Sequence, residues 1–245
     1  MGGGRAADVI TVVSAPGSLA AGAHLVLDDA ESHHLSVRRA AEGEQVRVLD
    51  GAGTIGTGAL RLQGKRRSIL IDTVQFIDRP ARTTLAVGAG DRDRFALLVE
   101  KSVELGATDI FPLETERTAS VNSRVRASAL DRLRDRANEA LKQCGNPWAP
   151  AVHEPISLLD FVGRESPGLR WVGAPEGAPP PGKLSDEAVT VVIGPEGGLN
   201  DAERDLLHQA GYLPISFGTH VLRFETAALA ALAGIAAARH RGAHV

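Results

Sequence analysis

The sequence is short of several things at once. One cysteine, Cys144, among 245 residues excludes an internal disulfide framework and any multi-cysteine metal site, and suits a reducing compartment. Aromatic residues make up only 4%, and no base-stacking motif of the kind RNA-binding sheets carry is visible. Charge of one sign is lacking as well: the formal net charge of −3 names no partner. No run approaches the roughly 20 apolar residues that span a bilayer, and "MGGGRAADVI" has no apolar core of signal-peptide length, so a soluble cytoplasmic protein without membrane contact is expected. His33 and His34 lack companions at metal-ligand spacing, and no metal is expected. What is present is 43% hydrophobic content, enough to bury a core in one large domain or two smaller ones.

Two rhythms divide the chain. From Val9 to Ile77 the segments "VITVV", "AHLVL", "EQVRVLD", "TGALRL" and "RSILIDTVQF" alternate or run β-branched between Gly, Asp and Pro, which predicts a small β-barrel or sandwich over residues 1–77. "DRPAR", Asp78 to Arg82, reads as a linker because Pro80 disfavours both a helix and a central strand. Over residues 78–245 strands alternate with helices. "TTLAVGA", the amphipathic "DRDRFALLVEKSVELGA" and "TDIFPL" form a βαβ unit. "SALDRLRDRANEALKQCG" is a helix with Leu130, Leu133, Ala137, Leu141 and Cys144 on one stripe, ended by Gly145. A loop rich in Pro and Gly then leads to "LRWVGA", "AVTVVIG", a helix from about Asp201, the strand "LPISFG" and a last helix from Phe224 to about Arg239. This is an α/β pattern with a parallel sheet covered on both faces. Cys144, Trp148 and Trp171 are expected to be packing residues.

Two glycine loops compete for attention. "LDGAGTIG" contains a formal G-x-G-x-x-G at Gly51, Gly53 and Gly56, the basis of a nicotinamide oxidoreductase reading. A true fingerprint opens a helix on whose amides the pyrophosphate sits, whereas "TGALRLQGKRRSILI" continues in strands, so a hairpin turn is the better reading. "VVIGPEGGLNDAE" has the right context: a buried strand, a glycine turn, and then Asn200 with Glu203 three residues on as a capping box. No lysine follows to hold phosphates. "SFGTHVLRFETAALAAL" repeats the logic with Gly218, then Arg223 and Glu225 at a helix start, and two glycine loops at successive strand ends make one crevice.

The order "ELGATDIFPLETERT", "EALKQCG", "VVIGPEGGLNDAE" and "FGTHVLRFETAALAAL" resembles the RsmE family of 16S ribosomal RNA uridine N3-methyltransferases in the SPOUT superfamily. "SHHLSVRRAAEGEQVRVLDGAG" resembles that family's PUA-like RNA-binding barrel. The resemblance implies S-adenosyl-L-methionine as cofactor, a C-terminal trefoil knot that folds it, a homodimer, and 16S rRNA in the 30S subunit as substrate. The positions matching the cofactor cradle are Gly194, Pro195, Glu196, Gly197, Gly198 and Leu199, with Phe217, Gly218, Val221 and Leu222. Three positions depart from the family: Arg38 stands where Leu is usual, and Asn146 and His220 stand where basic residues are usual. The last two bear on RNA contacts and leave the cofactor loops untouched.

Methylating N3 of uracil requires stabilising negative charge over O2, N3 and O4, and a base for the imide proton. The planar donors of Arg223 suit the first task. Glu225 suits the second, as base or by orienting the arginine or a water; alternatively the two form a structural ion pair at a helix start. Candidate RNA contacts are Arg38 and Arg39, the cluster Lys65, Arg66 and Arg67, and Arg117 with Arg124 and Arg126; each alone reads better as a solvated face, while their number favours some phosphate contact. A non-catalytic, ribosome-associated RNA-binding protein is the remaining alternative.

Overall fold

The computed structural model describes residues 9–64, 66–119, 121 and 124–242. The chain divides into two compact units, Met1–Arg79 with Asn138–Ala149, and Pro80–Ala137 with Pro150–Val245. No helix among the described residues is long and apolar enough to cross a membrane.

In the first unit all five strand-like segments are strands: β1 (Ile10–Val13), β2 (His24–Val26), β3 (Gln45–Leu49), β4 (Thr54–Gln63) and β5 (Arg66–Phe76). They form one sheet in the order β1-β3-β4-β5-β2, parallel only between β1 and β3. Their inward residues, among them Val12, Val46, Val48, Leu60 and Ile69, make the core. A helix that the strand pattern does not foretell, α1 (Asp29–Val37), seals it with Leu35. Its polar run "DAESHHLSV" carries little apolar periodicity, and the Asp28 side chain caps its start by accepting from the Glu31 N–H at 2.8 Å.

The formal dinucleotide fingerprint is the β3–β4 hairpin turn. Gly51 and Gly53 have φ of 67° and 98°, and a Cβ on Gly53 would stand 2.4 Å from the Trp148 ring. Glycine there permits a left-handed turn beneath an indole, not the approach of a pyrophosphate. Trp148 Nε1 donates to the carbonyls of Ile77 and Asp78 at 3.0 and 3.2 Å. Asp50 accepts from the N–H groups of Ala52 and Thr54, each at 2.8 Å. Burial pushes its carboxyl up, but the N–H donors of Thr54, Ala52 and Gly17 outweigh it and hold the group below the ordinary range.

The second unit alternates as its sequence predicts. Its elements are β6 (Thr83–Gly88), α2 (Arg92–Glu104), β7 (Asp109–Glu114), α3 (Glu116–Ala119), α4 (Leu130–Cys144), β8 (Ala151–Val152), β9 (Ile156–Ser157), α5 (Leu158–Val162), β10 (Leu169–Ala178), β11 (Val189–Ile193), α6 (Asp201–Gln209), β12 (Leu213–Ile215) and α7 (Phe224–Gly242). The Pro- and Gly-rich stretch before β10 thus holds two short strands and α5, too brief to leave a period. The parallel sheet runs β12-β10-β11-β6-β7-β8, with β9 also beside β7. β6 and β11 are buried along their whole length, which is why they read as unbroken apolar runs. α2 and α7 pack together on one face, and Phe161, Leu199, Leu207 and Tyr212 cover the other.

α4 is shared, its residues to Ala137 belonging to the second unit and Asn138–Cys144 to the first. Trp171 is buried, but Cys144 is exposed, against expectation. It is the last residue of the helix, where the apolar stripe runs out, and Gly145 follows with φ of 75°.

Candidate active site

Three parallel strands end side by side, and a cleft of about 640 Å³ opens off the carboxyl ends of β10, β11 and β12. That volume is in the usual range for a small-molecule site. Both glycine loops line it. The first contributes Gly194, Pro195, Glu196, Gly198 and Leu199, and the second Phe217, Gly218, Val221 and Leu222, with Arg223 beside them. Gly197 and Glu225 lie outside the lining.

Local chemistry shapes the first loop. Gly198, at φ 74°, closes a turn by donating to the Pro195 carbonyl at 2.7 Å. Leu199 is buried beneath, 3.1 Å from where a Cβ on Gly194 would stand, so Gly194 gives room to its own loop. The capping box is formed: Asn200 Oδ1 accepts from the Glu203 N–H at 2.8 Å, and Glu203 Oε2 accepts from the Asn200 N–H at 2.9 Å. The N–H groups of Asn200 and Glu203 at this helix start are therefore engaged within the chain. On the second loop a Cβ on Gly218 would stand 3.1 Å from Leu222 Cδ1.

Several lining residues escape a motif search. Val172, Gly173 and Glu176 from the end of β10, Asp205 and His208 from α6, and Tyr212 and Ile215 complete the wall. Their signal is positional: the carboxyl end of every strand neighbouring a glycine loop is a candidate lining. Burial pushes the Tyr212 phenol up, against the opposing effects of Ser166 and Arg170, so the group stays protonated. Beneath the first loop Gly88 is also needed, because a Cβ there would stand 2.5 Å from the backbone nitrogen and ring of Pro195.

The proposed catalytic pair is not an ion pair with itself. Arg223 is exposed at the cleft, and its guanidinium has no hydrogen bond or ion pair among the described residues. Glu225, with a side chain only 15% exposed, faces Arg94 of α2 at 3.6 Å, and its Oε2 is buried without a hydrogen bond among the described residues.

The expected RNA residues scatter. Arg38 and Arg39 are exposed at the end of α1, Arg66 and Arg67 open β5 at its hairpin, and Lys65 lies outside the described residues. Arg124 donates to its own loop at the Ala119 carbonyl, 2.6 Å away, while Arg126 is exposed with no side-chain partner among the described residues. Arg117 is turned onto the Gly197 carbonyl.

Comparison with known proteins agrees with this geometry. Residues 78–236 match the RNA methyltransferase domain model, and residues 27–71 match the RNA methyltransferase PUA domain. The chain is 33% identical over 224 residues to ribosomal RNA small subunit methyltransferase E of Synechocystis, covering 87% of this chain and 73% of that one. Among solved structures, the Neisseria gonorrhoeae ribosomal RNA small subunit methyltransferase E bound to S-adenosyl methionine superposes with a TM-score of 0.82 at 28% identity, covering 92% of this chain and 95% of that one. A Legionella pneumophila protein solved with S-adenosylmethionine as bound cofactor gives 0.80 at 30% identity, covering 91% and 95%. With its PUA-type first unit and its parallel-sheet second unit both matched, the chain belongs to the RNA methyltransferase family that includes ribosomal RNA small subunit methyltransferase E.

Proposed function

We propose that this chain uses S-adenosyl-L-methionine to methylate N3 of a uridine in the 16S rRNA of the 30S subunit, in the cytoplasm and as a homodimer. In this reading residues 1–77 bind RNA and residues 78–245 carry the cofactor site, the trefoil knot and the dimer face. The observation that carries it is the cleft, where two glycine loops from strands on either side of β10 line one wall beside an arginine with no side-chain partner among the described residues. The cleft suits this cofactor: its wall combines apolar side chains with the carboxylates of Glu176, Glu196 and Asp205, complementary to a sulfonium and an ammonium. The end of α7 is strapped down, Arg239 donating to the carbonyls of Arg82 and Glu187 at 3.1 and 2.9 Å.

When bound, the cofactor supplies an electrophilic methyl group on sulfur. The protein's part is to make N3 nucleophilic. Arg223 sets its two-pronged donor against the uracil oxygens as negative charge develops, and Glu225, outside the cleft lining, takes the imide proton through a relaying water or orients that water. Arg38, Arg39, Arg66, Arg67, Arg124 and Arg126, with Lys65, supply phosphate contacts that position the RNA without reading its bases.

Calorimetric titration separates the readings: S-adenosylmethionine and its homocysteine product are expected to bind and NAD is not. Mass mapping of 16S RNA from a deletion strain is expected to show one uridine that has lost a methyl group. An unchanged methylation map overturns the proposal, and a fully active monomer in sedimentation overturns its dimeric form.

A further inference from the structure

Arg117 belongs to a patch that the sequence offers to RNA, yet its charge is spent elsewhere. Its guanidinium donates to the Gly197 carbonyl. Its Cδ lies 3.0 Å from where a Cβ on Gly197 would stand, and its Nη1 3.6 Å from the same point on Gly198. The preceding residue is bound to the same segment twice: the Glu116 N–H donates to the Glu203 carboxylate at 2.9 Å, and the Glu116 carboxylate accepts from the Asn200 side chain. Thr118, 1% exposed, locks the turn beneath, its hydroxyl accepting from the Thr115 N–H at 2.8 Å and donating to the Thr115 carbonyl at 2.9 Å. The short helix α3 is thus a bracket that carries Arg117 to the outer face of the Pro195–Gly198 turn.

We propose that Arg117 is a positioning residue for the cofactor loop, holding the peptide between Gly197 and Gly198 in its binding orientation instead of contacting RNA phosphate. Two successive glycines lose more backbone freedom on ordering than any other pair, so this turn is the part of the cleft least able to keep its shape unaided. A hydrogen bond from a charged donor to the carbonyl between them offsets that loss before the ligand arrives, and a loop already in its bound shape binds more tightly. The affinity readout rests on the cofactor assignment made above; the loop readout does not.

The test compares Arg117→Ala, Arg117→Lys and Arg126→Ala in the full chain. Without ligand, amide hydrogen exchange at Gly197, Gly198 and Leu199 is expected to quicken at least tenfold in Arg117→Ala and to stay at the parent rate in Arg126→Ala. KM for S-adenosylmethionine is expected to rise about tenfold in Arg117→Ala while kcat at saturating cofactor stays within about twofold, the signature of lost uniform binding. Arg117→Lys keeps the aliphatic stem over Gly197 and secures a folded variant; it is expected to fall between the parent and Arg117→Ala in both readouts. The slope of log RNA affinity against log salt is expected to be unchanged in both Arg117 variants and to flatten by about one in Arg126→Ala. A flattened slope in Arg117→Ala with parent-like loop exchange makes Arg117 a phosphate ligand and overturns the inference. A parent protein that fails to bind S-adenosylmethionine overturns the proposed function, while the exchange rates still decide the role of Arg117.

Discussion

Arg94 reaches across from the first turn of α2 to the first turn of α7, where its Nη1 stands 3.6 Å from Glu225 Oε1 and leaves Oε2 of the same carboxylate buried without a donor. A buried acceptor with no partner is costly, and in the proposed reading a water relaying the imide proton would satisfy it. Glu225→Gln is therefore expected to lower methyl transfer by about a hundredfold at neutral pH and to recover part of that loss as pH rises and the imide ionises unaided. Single-turnover rates across pH check this. A loss that does not vary with pH, accompanied by a lower melting temperature, makes the Arg94–Glu225 contact purely structural.

Arg223 has no side-chain partner among the described residues, so its removal is expected to carry little stability cost. Arg223→Ala is expected to cut the methyl-transfer rate by about a hundredfold, as removal of an oxyanion donor does, with cofactor affinity and melting temperature nearly unchanged. Arg223→Lys is expected to rescue poorly, because a point charge does not span two oxygens. Unchanged single-turnover rates on 30S subunits in both variants would leave Arg223 without a catalytic role.

The amino end of the same sheet holds a different carboxylate. Burial pushes the Asp109 carboxyl up, but bonds from His153 and Thr108 and the charge of Arg82 overcome it and bring it down to about 2, from an ordinary 3.8. A carboxyl depressed in the folded state contributes stability above its unfolded pKa and loses it as pH falls through the folded one, here between about pH 4 and 2. Asp109→Asn is expected to cost on the order of 2 kcal/mol at pH 7 and to converge with the parent near pH 2. Urea melts at pH 7 and pH 3 measure it; an equal deficit at both excludes the ionised carboxylate as the cause.

Arg39 sits at φ 54°, the one left-handed non-glycine residue among those described. It ends α1, where Ala40 donates to the Leu35 carbonyl at 3.0 Å in the pattern that favours glycine. Arg39→Gly is expected to stabilise the protein by about 1 kcal/mol while weakening RNA binding and flattening its salt dependence. Stabilisation with unaltered RNA affinity removes Arg39 from the RNA surface.

Much of this was readable in the residues, for identifiable reasons. β6 and β11 announce themselves because strands covered on both faces are apolar throughout, and α6 because Asn200 and Glu203 cap it by purely local chemistry. α1, α3 and α5 were not legible: they are short or polar, and tertiary packing decides them. In the site, the glycine loops were visible as motifs, but the wall from Val172 to Glu176 was not, since only the sheet order brings it beside Gly194. The Arg94–Glu225 and Arg117–Gly197 contacts join residues more than seventy positions apart, which no periodicity encodes. Cys144 shows the converse error, a residue with the right spacing one turn beyond the end of the core it was assigned to.

The first unit is discontinuous, closed by Asn138–Ala149, with the Trp148 ring lying over Gly53. As the chain leaves the ribosome, β1 through β5 emerge first but lack their covering indole until Ala149 has followed. At ordinary elongation rates of about 5–20 residues per second, that wait lasts several seconds. Any fragment that stops at the Asp78–Arg82 linker freezes the chain at this moment, with the floor of the β3–β4 hairpin bared to water. A vectorially synthesised enzyme of this design thus completes its first-made unit late, after much of the second has already appeared.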